Sequence, residues 1–440
     1  MHSYGNGVGD NRGRNTGCRS RFLKLAMGAR HGMAMFALAS ALLFASGVLA
    51  GAQTYSVLYS FAGGSDGAGP QAPVTLDVTT GNLYGTTNSG GAGNACSGGC
   101  GTVFELTSSG VESVLYSFLG APDDGLEPYD VFRDAKGNLY GTTLLGGPYE
   151  GEGGSGIVFK IDPNGAEKVL HDFKGGTDGD EPTSGLIQDP NTGDFYGVTV
   201  GGGTNRVGTL YTITASGKKT VLYNFGDGGD QPAGKLVQDV KTGNLYGLLE
   251  LGGPWGCGGA FQFTPAGVET ALYLFTGQRG DGCEPGPGDP GLVMDAQGNL
   301  FGTTWFGGNG NNGVVFELTA SGVEKVLYKF NGAKKGDGAW PYAGLVLDEN
   351  TGNLYGTTEI GGTGQCVSGR VRGCGTIFEL SPPSTRHGRW QETILHSFTG
   401  GADGEYPLAG LIWDAQAGNM YGTAAGGGTH GYGVVFKLVP

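Results

Sequence analysis

The chain has 440 residues, of which 93 are Gly and 19 are Pro, and only 15% are charged. A Gly and Pro share near a quarter signals low complexity unless it is periodic, and here it is periodic; low charge with 10% aromatics excludes a solvated tail protein. Residues 1–52 hold six basic residues and one acid, so the rest keeps 20 Lys and Arg against 39 Asp and Glu, a net of −19 that repels nucleic acid and anionic headgroups.

The N-terminal segment reads as a leader. Basic residues Arg12 to Arg30 precede an apolar run, Met33–Ala50, and Ala50-Gly51-Ala52 matches an A-x-A cleavage pattern. This predicts a secretory signal peptide cut before Gly51 or Gln53. The expected localisation is secreted or extracytoplasmic. No cysteine stands directly behind the run, so no lipoprotein anchor is expected, and no later stretch is long and apolar enough to span a bilayer, so no membrane span is expected after cleavage.

The body opens with VLYSF at Val57–Phe61, a phrase that recurs seven times along the chain. A second phrase also occurs seven times: GNLYGTT at 81–87 and 137–143, then GDFYGVT, GNLYGLL, GNLFGTT, GNLYGTT and GNMYGTA, ending at 424. Each copy is followed by a third phrase such as VFEL at 103–106 or VFKL at 435–438. These segments are short, rich in β-branched and aromatic residues, and bounded by Gly, Asp or Asn, which is a strand signature. A further short strand precedes each GNLYG phrase and ends in Asp77, Asp134, Asp189, Asp239, Asp295, Asp348 or Asp414. An Asp followed by Gly-Asn suits a tight turn.

Four antiparallel strands repeated seven times predict an all-β, seven-bladed β-propeller over residues 53–440. The last repeat lacks its fourth strand and the N-terminus has one spare. Pairing Val57–Phe61 with Val434–Leu438 would close the ring and remove an open edge. The phrase GNLYGTTxxGG…GxVFEL…VLYSFxGxxDGxxP resembles the GloVer-type tandem repeat of bacterial exported proteins, over roughly residues 54–440. The resemblance implies a propeller-like fold and export, and brings no reaction or catalytic residues.

The long connections, 88–101, 144–156, 277–290 and 359–375, fall on one face, where function concentrates. Six cysteines remain beyond the leader. Their positions predict the disulfides Cys96–Cys100, Cys257–Cys283 and Cys366–Cys374. Gly63-Gly64-Ser65-Asp66-Gly67 spells a nucleophile elbow, but it is one copy of a repeated loop. Aspartates recur in the same connection of each repeat, at Asp66, Asp124, Asp178, Asp230, Asp281, Asp337 and Asp403, all but Asp230 followed by Gly; they read as capped turns, with calcium as the alternative. No other cofactor or metal is expected.

Aromatic residues supply the ligand expectation. Trp255, Trp305, Phe306, Trp340 and Tyr342 fall in neighbouring loops of the long-loop face, with Asn309, Asn311 and Asn312 beside them. Exposed aromatics with polar neighbours mark binding sites. The favoured reading is a monomeric, non-catalytic binding or scaffold propeller that takes glycan or another surface polymer. The alternatives are a polysaccharide-acting hydrolase or lyase using Asp180 with Glu181 or Asp403 with Glu405, and a purely structural envelope protein.

Overall fold

The computed structural model describes residues 53–149, 154–226, 231–286, 291–368 and 371–440. The predicted leader and Asp230 lie outside them. Seven sheets of four antiparallel strands follow one another around a ring. Blade 1 is Thr75–Leu76, Leu83–Thr87, Thr102–Leu106 and Glu112–Ser117, and blade 2 is Gly125–Arg133, Leu139–Gly146, Ile157–Ile161 and Glu167–Asp172. Blade 3 is Ile187–Gln188, Phe195–Thr199, Thr209–Ile213 and Lys219–Asn224, and blade 4 is Pro232–Gln238, Leu245–Leu249, Gly259–Phe263 and Glu269–Leu274. Blade 5 is Val293–Met294, Leu300–Thr304, Val314–Leu318 and Glu324–Lys329, and blade 6 is Val346–Leu347, Leu354–Thr358, Thr376–Ser381 and Gln391–Ser397. Blade 7 takes Ile412–Asp414, Asn419–Ala424 and Val434–Val439 from the C-terminal end, and its fourth strand is Thr54–Ser60. Val57 pairs with Phe436 and Ser60 with Val434, the register that closes the ring.

The repeated phrases are the packing units of this ring. The Gly of each GNLYGTT phrase lies against the aromatic of the third strand. A Cβ on Gly85 would come 2.6 Å from the Phe104 ring, and the same contact recurs at Gly141 with Phe159, Gly302 with Phe316 and Gly422 with Phe436. The Phe that ends each fourth strand then meets the next blade's third strand edge-on. Phe61–Phe104, Phe118–Phe159, Phe225–Phe261, Phe275–Phe316 and Phe330–Phe378 have centroids 5.0–5.2 Å apart, and Phe398–Phe436 lies at 5.6 Å. Such T-shaped pairs contribute about 0.5–1.5 kcal/mol beyond their area. The core is therefore seven inter-blade seams, each apolar and fully buried at its centre.

Polar ties run along the same seams. The threonine that follows the second glycine of the GNLYGTT phrase is Thr142, Thr303, Thr357 or Thr423 in four of the blades. Their hydroxyls donate to the carbonyls of Ser184, Ala343, Ala409 and Ala72, each at the entry to the next blade's inner strand. The Thr423 bond, at 3.1 Å, joins blade 7 to blade 1.

The turn aspartates do what their sequence setting predicts. Asp134 Oδ1 accepts from the amides of Lys136 and Asn138 at 2.8 Å, and Asp295 Oδ1 does so from Gln297 and Asn299. The DG aspartates have a wider task at the outer rim. Asp124 accepts from the Leu119 amide and the Tyr116 hydroxyl, and Asp337 from the Asn331 amide and the Tyr328 hydroxyl. Asp66 and Asp281 repeat this with Tyr59 and Tyr273. The next blade's outer strand brings a glutamate to each junction: Glu112, Glu167, Glu324 and Glu392. Burial first, then the neighbouring aspartate's charge, pushes each up to about 7. Two junctions carry His171 and His396 instead of Tyr, and there the incoming residue is Lys219 or Tyr55.

The three predicted cysteine pairs are all bonded, with Cα separations of 5.2, 4.4 and 5.0 Å in chain order. The Cys257–Cys283 bridge joins the two ends of blade 4's outer hairpin. Trp413 is half-buried and stacks on Tyr355. Among the described residues no helix is long and apolar enough to cross a membrane.

Candidate ligand-binding face

Six of the blades are entered through a DGxxP connection whose last residue before the proline has unusual backbone geometry. Glu127, Glu181, Glu284, Trp340 and Tyr406 have φ between 52° and 60°, and Gly69 has φ 64°. A left-handed conformation at a non-Gly residue costs on the order of 1–3 kcal/mol and concentrates at functional sites. The carbonyl of this residue accepts from the amide that follows the second strand. Trp305 pairs so with Glu284 at 2.8 Å, Glu359 with Trp340 at 2.9 Å and Ala425 with Tyr406 at 3.0 Å. The strain is thus held by a bond repeated from blade to blade, and it fixes a matched set of side chains at the blade entrances on the long-loop face.

At the junction of blades 5 and 6 these side chains are aromatic. Trp305 stacks on Phe306 with centroids 4.3 Å apart, and meets Trp340 at 5.7 Å and Tyr342 at 5.9 Å, both edge-on. Phe306 and Trp340 close the group at 5.9 Å. Trp305, Phe306 and Trp340 are half-buried, so the cluster is packed on one side and open on the other. Trp255 is the exception. It is 60% exposed in the blade 4 loop and makes no ring contact with the four.

The asparagines hold this cluster in place. Asn311 Oδ1 accepts from the Gly307 amide, the Asn311 carbonyl accepts from the Trp340 indole at 3.3 Å, and the Asn312 carbonyl accepts from the Trp340 amide at 2.9 Å. Asn312 Nδ2 donates to the Asn309 carbonyl. The polar groups beside the rings are instead carboxyls. Glu359 accepts from the Trp305 indole at 3.3 Å, Glu250 lies near Tyr342, and Glu284 lies near Glu250. Burial raises the pKa of all three, and Glu284's charge adds to the effect on Glu250. Tyr342 is pushed up to about 12 by burial and by the charges of Glu359 and Glu250. The face therefore presents aromatic planes edged by hydrogen-bond acceptors.

Sequence reasoning missed Tyr406, Glu250, Glu284 and Glu359 at these positions. The signal was present: aligning the residue before each DGxxP proline brings Glu284, Trp340 and Tyr406 into register. The proposed acid pairs stand differently. Asp403 is engaged by the Thr399 amide at 3.0 Å and His396 at 3.2 Å, while Glu405 lies 2.9 Å from the Cys366 sulfur. Burial raises the pKa of Asp180 and Glu181, the latter also through Asp180's charge. Cys366, Cys374 and Glu405 are close enough to hold a metal, but the two sulfurs are already joined to each other.

No curated protein matches the sequence. Among solved structures, the chain is similar to the extracellular domain of the "putative hybrid two component system BT3049" from B. thetaiotaomicron. Identity is 14% and the TM-score 0.51, over 88% of this chain and 41% of that one, so this chain spans under half of that structure's length. A luciferin-regenerating enzyme matches at 12% identity and TM-score 0.40, over 70% and 88% of the two chains. A "putative 6-phosphogluconolactonase" from Bacteroides fragilis matches at 14% and 0.47, over 80% and 90%. The likeness to the first is one of fold. The model of the Gloeobacter/Verrucomicrobia repeat matches residues 44–192, 94–288, 148–368 and 289–440. With those repeats running through the blades from end to end, the chain belongs to the Gloeobacter/Verrucomicrobia repeat family.

Proposed function

We propose that this protein is an extracytoplasmic binding propeller that takes a glycan or similar surface polymer on its long-loop face. The observation that carries the reading is the convergence of Trp305, Phe306, Trp340 and Tyr342, open on one side and edged by Glu250, Glu284 and Glu359. Sugar C–H faces stack on such planes, and sugar hydroxyls donate to carboxylates. Three disulfides support an oxidising compartment. Glycan-array binding by the wild type should be lost in Trp305→Ala and Trp340→Ala with melting temperatures near the parent's. An anchor of this kind is worth about 2 kcal/mol or more, roughly a 30-fold loss of affinity. Unchanged binding by both folded variants would refute the site.

A further inference from the structure

Two positions in every blade stand side by side at its entrance: the residue before the entrance proline and the residue after the GNLYGTT phrase. One main-chain bond joins such a pair, as from the Val200 amide to the Glu181 carbonyl at 3.1 Å and from the Glu250 amide to the Gln231 carbonyl at 2.8 Å. Around the seven blades these positions hold five glutamates, Glu127, Glu181, Glu250, Glu284 and Glu359, and no lysine or arginine. Trp305, Trp340 and Tyr406 occupy the same set of positions in blades 5, 6 and 7. The long-loop face is thus acidic by position, with aromatic planes gathered in three successive blades.

Three of the glutamates stand with those planes. Glu359 accepts from the Trp305 indole at 3.3 Å, and its charge acts on both Tyr342 and Tyr406. Glu250 acts on Tyr342, and Glu284 on Glu250. None of the five glutamates belongs to an ion pair among the described residues. Glu250 and Glu284 are half-buried, accept no hydrogen bond among the described residues and hold no oxygen shut away from solvent, so their carboxylates are reached from solution. Carboxylates set close together repel one another, and aromatic faces attract cations. Both features of this face therefore favour positive charge.

Resting on the glycan reading above, we infer that the polymer this face takes is an aminoglycan, a chain of hexosamine units whose free amines are protonated. The C–H face of a sugar ring lies on Trp305 or Trp340, and ammonium groups along the chain donate to Glu250, Glu284 and Glu359. An ammonium brings three donors and a positive charge, so it relieves the repulsion among these carboxylates, which a neutral hydroxyl leaves in place. The amides that would suit a neutral sugar are engaged elsewhere: Asn311 Oδ1 holds the Gly307 amide and Asn312 Nδ2 the Asn309 carbonyl. A uronate or sulfated glycan meets charge of its own sign, here and on a body where 39 Asp and Glu outnumber 20 Lys and Arg beyond residue 52. A lysine-rich peptide carries the charge without a rigid C–H face to lie on the indoles.

The full-length protein would be titrated by calorimetry at about pH 6, where an amine is protonated, with β-1,4-linked hexamers of glucosamine, of N-acetylglucosamine and of glucose, and with hexalysine. The glucosamine hexamer should bind saturably and roughly tenfold or more tighter than either neutral hexamer, an advantage that shrinks as salt is raised. In the double variant Glu250→Gln with Glu284→Gln, checked for folding by its melting temperature, that advantage should fall to about twofold or less. Binding of the glucosamine hexamer no tighter than that of a neutral glycan would overturn the inference and leave the glycan reading standing. Hexalysine binding as tightly as the glucosamine hexamer, or a full preference kept by the folded double variant, would also overturn it. Binding of no hexamer and of no glycan on the array would remove the glycan reading together with the inference.

Discussion

Gly302 illustrates the residue scale. It has no side chain because the Phe316 ring, fully buried, occupies the place a Cβ would take at 2.7 Å. Phe316 cannot yield, since Phe275 of the preceding blade's fourth strand packs on it at 5.0 Å. Gly302→Ala should therefore lower unfolding free energy by roughly 1–3 kcal/mol, the usual cost of overpacking. Chemical denaturation of the variant against the parent checks this, and equal midpoints would mean the seam is looser than its geometry. Trp340 shows the opposite use of a residue. A large side chain is held at φ 60°, where glycine would be at ease, because its ring completes the aromatic group at the blade entrance.

Outer strands couple neighbouring blades through ionisable groups, and this sets a pH dependence at the scale of elements. Glu324 faces Asp281, Tyr273 and Lys329 and is raised from the ordinary 4.5 to about 7, first by burial and then by Asp281. Glu112, Glu167 and Glu392 stand likewise in their own junctions. A group raised in the folded state stabilises fully below its unfolded value and loses that contribution as pH rises through the folded one. These four should therefore weaken the fold between about pH 4.5 and 7. The turn aspartates are lowered, Asp77 first by the Thr79 amide, Asp239 and Asp348 first by the Thr242 and Thr351 hydroxyls, and Asp134 and Asp189 by several hydrogen bonds that together outweigh desolvation, so their contribution is lost only on further acidification. Greatest stability is expected on the acid side of neutrality. Displacement from 4.5 to 7 would correspond to roughly 3 kcal/mol, but these carboxyls are half-buried and screening leaves about 1 kcal/mol each. Glu324→Gln should raise the melting temperature at about pH 8 and leave it unchanged at about pH 4.5. An equal effect at both values would show that the carboxyl's charge is not what matters.

At the scale of the molecule, stability depends on closure. Thr54–Ser60 is the fourth strand of blade 7, Phe61 packs on Phe104 of blade 1, and Tyr55 reaches the Asp403 carbonyl. A chain starting at Pro70 would lose all three contacts and expose the edge of Val434–Val439. It should be less stable and prone to edge-to-edge association, visible in size-exclusion profiles and thermal melts. A monomer as stable as the parent would show that the ring does not need this strand.

The period in the sequence carried the architecture. Seven copies of three phrases specified the strands, the Asp-Gly-Asn turns and the blade number, because strand and turn preferences are local and repeat with the chain. The spare N-terminal phrase and the incomplete last repeat specified closure, and the cysteine positions specified their pairing. The candidate face was legible in part. Trp305, Phe306, Trp340 and Tyr342 stood out as aromatics in adjoining loops and do meet, but Trp255 does not join them. The carboxyls at their edge, the outer-junction glutamates Glu112, Glu167, Glu324 and Glu392, and the Asp130–Lys235 pair, 105 residues apart, were not legible. Each arises where different blades face one another. Only the closed ring sets those distances, since residues far apart in sequence become neighbours through blade packing rather than through any local preference.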